Sequence, residues 1–350
     1  MAIYKLFPTK DATLYNQYPD MNTGLDSIIE ASSYYFLGDR YKSRYLIQFS
    51  TTEISDIIDN KVTGSWVSYL RNSIANVSGL AIDTTLYIHQ VSGSWGMGTG
   101  HFGDSPQITN GTSWNYRDYL GSTTWETAGG DIYESPIVSQ SFSYSDPKDL
   151  NVNVTSIVDT WYDESIPNDG FMVKLTSSVE DSTNTNVQPR FKYFSIDTNT
   201  IYPPYLEFRW DDSIFNTGSS TNSILSNPES FISVYNNAGM YYPGSTPKFR
   251  FAALPKYPDR QFITSSYYTE NYYLPENVST YAIKDTSTNE YVIDFDSNYT
   301  KISSDATSSY FDLHMNGLEP ERYYTILVKT TIGGVTKVFD ENIEFKIVKG

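Results

Sequence analysis

VSGSWGMGTGHFGDSPQITNGTSWNYRDYLGSTTW, residues 91–125, decides how the first part of this chain is read. It holds Trp95, Trp114 and Trp125, half of the six tryptophans, and it is rich in glycine. It has no apolar periodicity long enough for a helix. Without aromatics such a composition would be a disordered loop. Each tryptophan instead offers the backbone a large apolar body to fold around. The stretch therefore predicts a long ordered loop system capping a β-sheet.

Working outward, residues 84–91 (TTLYIHQV) alternate as a half-buried strand should, with Leu86 and Ile88 on one side. Residues 3–15 read as an opening strand interrupted at Pro8, and YPDMNTGLDS after them is turn chemistry. Residues 27–37 and 43–49 read as strands around the polar turn GDRYK. Residues 54–74 are helix-like but interrupted by Gly64, giving a short helix or an irregular connection. Beyond the tryptophan stretch, residues 137–142, 150–154, 171–176 and 205–210 read as further strands. Residues 154–161 (VTSIVDTW) suit a short helix, capped by Thr155 or Ser156, with Ile157, Val158 and Trp161 on one face.

Residues 211–247 differ in kind. NTGSSTNSILSNPES is polar and poor in apolar residues, which predicts a linker or docking arm. From residue 248 strand-like segments return: KFRFAAL, STYAIKD, EYVIDF, YFDLHM, YYTILVKTTI and KVFDENIEFKIV. Asn289-Glu290 and Gly333-Gly334 sit where hairpin turns are expected. The fold expectation is all-β: a sandwich over 1–210, the arm over 211–247, and a second, immunoglobulin-like sandwich over 248–350.

Composition agrees and excludes much. Among 350 residues, 31 are tyrosine and 16% are aromatic, which suits pleated, half-buried surfaces. Formal net charge is −17 with no basic cluster, so nucleic-acid binding is not expected. There is no cysteine, which removes disulfides, zinc-thiolate sites and thiol nucleophiles. No signal-peptide pattern opens the sequence and no segment is long enough to span a bilayer, so synthesis in the cytoplasm and no membrane partner are expected.

Two resemblances sharpen this reading. The ordered series ATLYNQYPDMNTGLDSIIEASS, SRYLIQFS, TLYIHQVSGSW, VTSIVDTWYDESIPNDGFMVKL and PPYLEFRW resembles the carbohydrate-module-like β-sandwich called DNRLRE-type or disaggregatase-related, over residues 1–210. SYFDLHMNGLEPERYYTILVKT followed by VFDENIEFKIV resembles a C-terminal module of structural proteins from large tailed bacteriophages. There Pro320 fixes the turn after Leu318, and Tyr323 and Tyr324 enter a strand on opposite faces. The resemblances imply a jelly-roll-like first sandwich and a virion component of the neck, head-tail ring or tail. They also imply partners among other virion proteins and copies of itself in a symmetric oligomer or ring.

The carbohydrate-module resemblance raises glycan binding as the alternative, an adhesin whose aromatic platform would be Trp95, Trp114, Tyr116 and Trp125. The competing reading makes those rings space-filling for the loop, or contacts to a neighbouring subunit. Asp131, Glu134, Asp159, Asp163, Glu164 and Asp169 supply the residue type that glycoside hydrolysis needs, but no pair stands out from ordinary turn chemistry. Asp11, Asp20 and Asp26 are candidate calcium ligands without the spacing of a known loop. His89, His101 and His314 lie far apart in the sequence and outside any metal or catalytic motif. Gly96, Gly98 and Gly100 lack the strand, helix and lysine of a phosphate loop. The expectation is a non-enzymatic protein without a cofactor.

Overall fold

The computed structural model describes residues 2–80, 82–220, 222–257 and 271–349. The chain is all-β in class, built of stacked sheets with only short helices. It divides into two units: Leu6–Lys61 with Val67–Glu207, and Met1–Lys5 with Val62–Trp66 and Phe208–Gly350. Among the described residues no helix is long and apolar enough to cross a membrane.

Strand Asp39–Gln48 is the hub of the first unit. Its consecutive residues Tyr45, Leu46 and Ile47 are all fully buried. Side chains alternate along a strand, so both faces of the sheet are covered here. The strand pairs with Lys10–Tyr15, Ile28–Phe36 and Phe171–Leu175. The sheet is completed by Thr84–Val91 and Ile132–Phe142 beyond Phe171–Leu175, and by Arg190–Phe194 and Ile74–Ser78 beyond Ile28–Phe36. In another sheet Trp66–Asn72 lies between Tyr205–Trp210 and Leu150–Asn153. Asn72 donates from Nδ2 to the hydroxyl of Tyr45 at 2.9 Å, tying one covered face to that second layer.

Several local expectations are altered by the structure. Helix Thr51–Asn60 begins at Ser50, whose hydroxyl accepts from the Glu53 N–H, and buries Ile54, Ile57 and Ile58. Past Gly64 the chain is a strand, Trp66–Asn72, with Ser68, Leu70 and Asn72 buried at a period of two, where a helix or irregular connection was expected. The hairpin turn expected at GDRYK is Leu37-Gly38, both at positive φ, as a two-residue turn requires. Helix Thr155–Tyr162 buries Ile157, Val158 and Trp161 as anticipated, but neither Thr155 nor Ser156 caps it. The Asn153 side chain instead accepts from the Thr155 N–H at 3.0 Å.

In the second unit, one sheet runs Ser230–Val234, Lys248–Pro255, Ser309–Asp312, Ser303–Ser304. The other runs Met240–Tyr241, Val335–Ile347, Tyr323–Ile332, Thr280–Asp285, Tyr291–Ile293. Phe311 of the first sheet stacks on Tyr281 of the second with centroids 3.9 Å apart, inside a core that includes Phe249, Phe251, Tyr324 and Phe345. Tyr323 is 50% exposed and Tyr324 2%, the opposite-face arrangement expected of that pair. Gly333 and Gly334, both at positive φ, close the hairpin between Ile332 and Val335.

Two expected boundaries move. Ile3 packs in the core of the second unit rather than belonging to a domain 1–210. Residues 211–247, expected as a linker or arm, contribute strands Ser230–Val234 and Met240–Tyr241 to the two sheets. Phe215 bridges Ser304, and Leu225 accompanies Ile232 in the core. The segment is polar because it supplies edge and connecting backbone, whose hydrogen bonds need few apolar side chains.

Candidate functional site: the tryptophan loop and the sheet face beneath it

One face of the first sheet presents Ala12, Leu14, Leu46, Val91 and Met172. Left in water, this apolar surface would oppose folding. Residues 92–131 cover it. Trp95 and Trp125 are inserted against it and are 3% and 4% exposed. Each indole N–H is satisfied within the unit: Trp95 Nε1 donates to the Asp169 carbonyl at 2.8 Å, and Trp125 Nε1 to the Ser113 carbonyl at 3.0 Å. The Lys10 ammonium lies 4.2 Å from the centre of the Trp95 ring.

Trp114 and Tyr116 are half-buried. The Arg44 guanidinium sits 5.1 Å from the Trp114 ring, and a Cβ on Gly129 would come within 2.7 Å of that indole. Tyr116 meets Tyr119 edge to face at 4.8 Å. The structure thus gathers Trp95, Trp114 and Trp125 around one apolar cluster, with Trp114 at its margin.

Asn22 is the tie that gives the loop its shape. It is fully buried. Its amide nitrogen donates to the carbonyls of Met97 at 2.6 Å and Thr112 at 2.9 Å. Its amide oxygen accepts from the N–H of Gly24 at 3.1 Å and of Gly100 at 2.9 Å. The approach requires glycine at position 98, where φ is +78° and an added Cβ would lie 2.3 Å from Asn22 Oδ1. The Gly100 N–H is spent on Asn22 and the Gly96 N–H on the Arg117 carbonyl, so the glycines bond the loop to itself.

A charged network borders this cluster. Arg44 grips Glu180 with two contacts, Nε to Oε1 at 3.0 Å and Nη2 to Oε2 at 2.7 Å, and donates to the Gly129 carbonyl at 3.0 Å. Glu180 is only 1% exposed, and Lys174 lies 3.8 Å from it. Burial pushes the Lys174 ammonium down, and the neighbouring Arg44 charge adds to this. Burial likewise lowers His89, with Lys174 contributing. The arrangement is a carboxylate neutralised by cations, which suits holding a loop in register rather than activating a nucleophile.

Several other candidate carboxylates are held by neutral N–H donors instead. Asp131 accepts from the N–H groups of Glu126 and Thr127, and Asp169 accepts from the N–H of Gly93. Asp20 accepts from Asn115, Asp26 from the Phe102 N–H, and Asp11 from the Ile196 N–H at 2.8 Å. Among the described residues no group of three or more histidine, aspartate or glutamate side chains is placed to hold a metal ion. His101 faces Asp104, and His314 faces Thr246, Tyr4 and Trp210.

Sequence reasoning singled out the tryptophans but not Asn22, Arg44 or Glu180. Asn22 sits in turn chemistry where a local role is the natural reading. Arg44 and Glu180 are 136 residues apart. One separating experiment follows from the burial. Trp95→Ala is expected to lower stability by about 3–5 kcal/mol in urea unfolding, the cost of emptying a large buried aromatic site. Trp114→Ala is expected to cost less than half of that. Equal, small losses for both would mean that the loop is not built on Trp95. No protein-family model matches the chain, and no curated protein matches it.

Proposed function

We propose that this protein is a non-enzymatic structural component of a tailed-bacteriophage virion, acting by protein–protein assembly in the neck, head-tail ring or tail. The observation that carries an assembly role is on the outer face of the second unit. Phe231 and Leu254 stand directly opposite each other on neighbouring strands and are 50% and 37% exposed. Tyr235, 51% exposed, follows at the same alternation just past the end of strand Ser230–Val234. Large uncharged side chains grouped on a sheet face, in a chain of net charge −17, have the composition of an interface core. The two motif series resembling a carbohydrate-module-like sandwich and a phage structural module supply the particle context.

The reading of the tryptophan loop as space-filling also supports assembly over a sugar platform. Trp95 and Trp125 are turned into their own sheet, leaving Trp114 and Tyr116 as the partly exposed rings of the glycan alternative. Mass spectrometry of purified particles is the test. The chain is expected at a fixed copy number per particle. Phe231→Asp with Leu254→Asp is expected to cut incorporation at least tenfold without shifting the melting temperature of the free chain. Absence of the wild-type chain from intact particles, with binding on a glycan array, would replace this reading with the adhesin.

A further inference from the structure

Strand Ile74–Ser78 ends the large sheet of the first unit. It pairs with Arg190–Phe194 on one side, and among the described residues no strand pairs with its other side. It carries no charge and no proline, the usual devices that keep an edge from accepting another strand. Beside it lies a depression of about 500 Å³ lined by Ile28, Ala75, Asn76, Ser78, Arg190 and Lys192.

The lining follows from register. Strand Arg190–Phe194 buries Phe191 and Tyr193 on one face, so Arg190 and Lys192 share the other. Ser78 stands opposite Arg190, and Asn76 opposite Lys192. Both cations are reachable, with side chains 35% and 39% exposed. They share a single carboxylate, Glu30, each at 3.4 Å, and Glu30 is itself 3% exposed. The Arg190 guanidinium lies 4.3 Å from the centre of the Tyr34 ring, which holds it in place. Arg190 Nε is buried and makes no hydrogen bond among the described residues.

We propose that this edge and its cationic depression receive an extended acidic segment of a neighbouring subunit, added to the sheet as a further strand. The inference rests on the assembly reading and names the chemistry of one contact. Main-chain hydrogen bonds along Ala75–Ser78 would supply affinity, the Ile74 N–H being held by the Asp149 carboxylate at 2.8 Å, and the depression would supply selectivity. On an added strand, alternate side chains lie on one face about 7 Å apart. Lys192 and Arg190 are likewise alternate residues, so two carboxylates at alternate positions of the guest meet two cations. Two cations facing one buried carboxylate leave a local positive surplus, which attracts acidic chain in a protein that is otherwise strongly negative.

The test is a peptide titration on the full chain, read by fluorescence anisotropy. The probe is an acetylated seven-residue peptide of valine and threonine with glutamate at its third and fifth positions. It is expected to bind at least tenfold more tightly than the same peptide with glutamine at both. Moving the second glutamate to the fourth position, on the opposite face, is expected to remove that advantage. Arg190→Gln with Lys192→Gln should abolish it, though these changes also strip Glu30 of its partners. Asn76→Glu with Ser78→Glu, at exposed positions, is therefore the cleaner variant: at least a tenfold loss of peptide affinity with unchanged melting. Equal binding of the glutamate and glutamine peptides, no binding of either, or wild-type affinity in the Asn76→Glu, Ser78→Glu chain overturns the site. In particles the two proposals separate. Wild-type incorporation of that double variant removes this contact and leaves assembly standing, whereas absence of the unaltered chain removes the assembly reading itself.

Discussion

Replacing Asn22 by alanine is expected to destabilise the first unit by about 3–5 kcal/mol, among the largest effects of any single change in the chain. The substitution removes every partner of four buried backbone contacts at once: the carbonyls of Met97 and Thr112, and the N–H groups of Gly24 and Gly100. A buried polar group left without a partner costs far more than a hydrogen bond normally contributes. Asn22→Asp separates hydrogen bonding from shape. It keeps the two acceptor contacts but turns a carboxylate oxygen towards two carbonyl oxygens, so it should be at least as damaging at neutral pH. Urea unfolding followed by tryptophan fluorescence measures both, because Trp95 and Trp125 lie under the loop. A loss below 1 kcal/mol in both variants would show that the loop holds without this tie.

The second large effect is a dependence on pH. Asp11 is fully buried, and burial pushes its carboxyl up to about 8. The Ile196 N–H opposes that shift, while the charges of Asp197 and Asp26 add to it. Burial raises Asp26 and Asp197 as well, and His101 lowers both. In the unfolded chain an aspartate titrates near pH 4. The folded state therefore holds a proton that the unfolded state releases between pH ~4 and ~8. The stability associated with Asp11 is fully present below that window and is lost as pH rises through it, by on the order of 5 kcal/mol in total. Asp11→Asn removes the titrating group while its side-chain oxygen can still accept from Ile196. The variant is expected to show a much flatter stability profile between pH 5 and 9 and to be the more stable chain above pH 8. Parallel profiles for variant and wild type would show that Asp11 is not the group responsible.

The strand Thr84–Val91, the helix face of Ile157, Val158 and Trp161, and the turn at Gly333-Gly334 were legible because each is a local pattern. Residues 66–72 were less so. Their aromatic and apolar residues fit a helix-like run as well as a strand, and pairing with Leu150–Asn153 decided the matter. Residues 211–247 look like an arm because a polar edge segment has the composition of a linker. Only the pairing of Ser230–Val234 with Lys248–Pro255 shows otherwise.

The candidate site divides along the same line. From sequence alone came the all-β class, the turn positions, and the inference that Trp95, Trp114 and Trp125 order an otherwise flexible stretch. Those conclusions rest on periodicity and on residue chemistry, which are properties of neighbours in the chain. Tertiary structure decided which side of the sheet the rings cover, that Asn22 rather than a tryptophan pins the glycine loop, and that Arg44 meets Glu180. It also decided that Arg190 and Lys192 lie beside Ile74–Ser78, the end strand of the sheet among the described residues. Alternation states that a strand has two different faces. What comes to lie against each face is set by segments far away in sequence, and no local pattern carries that information.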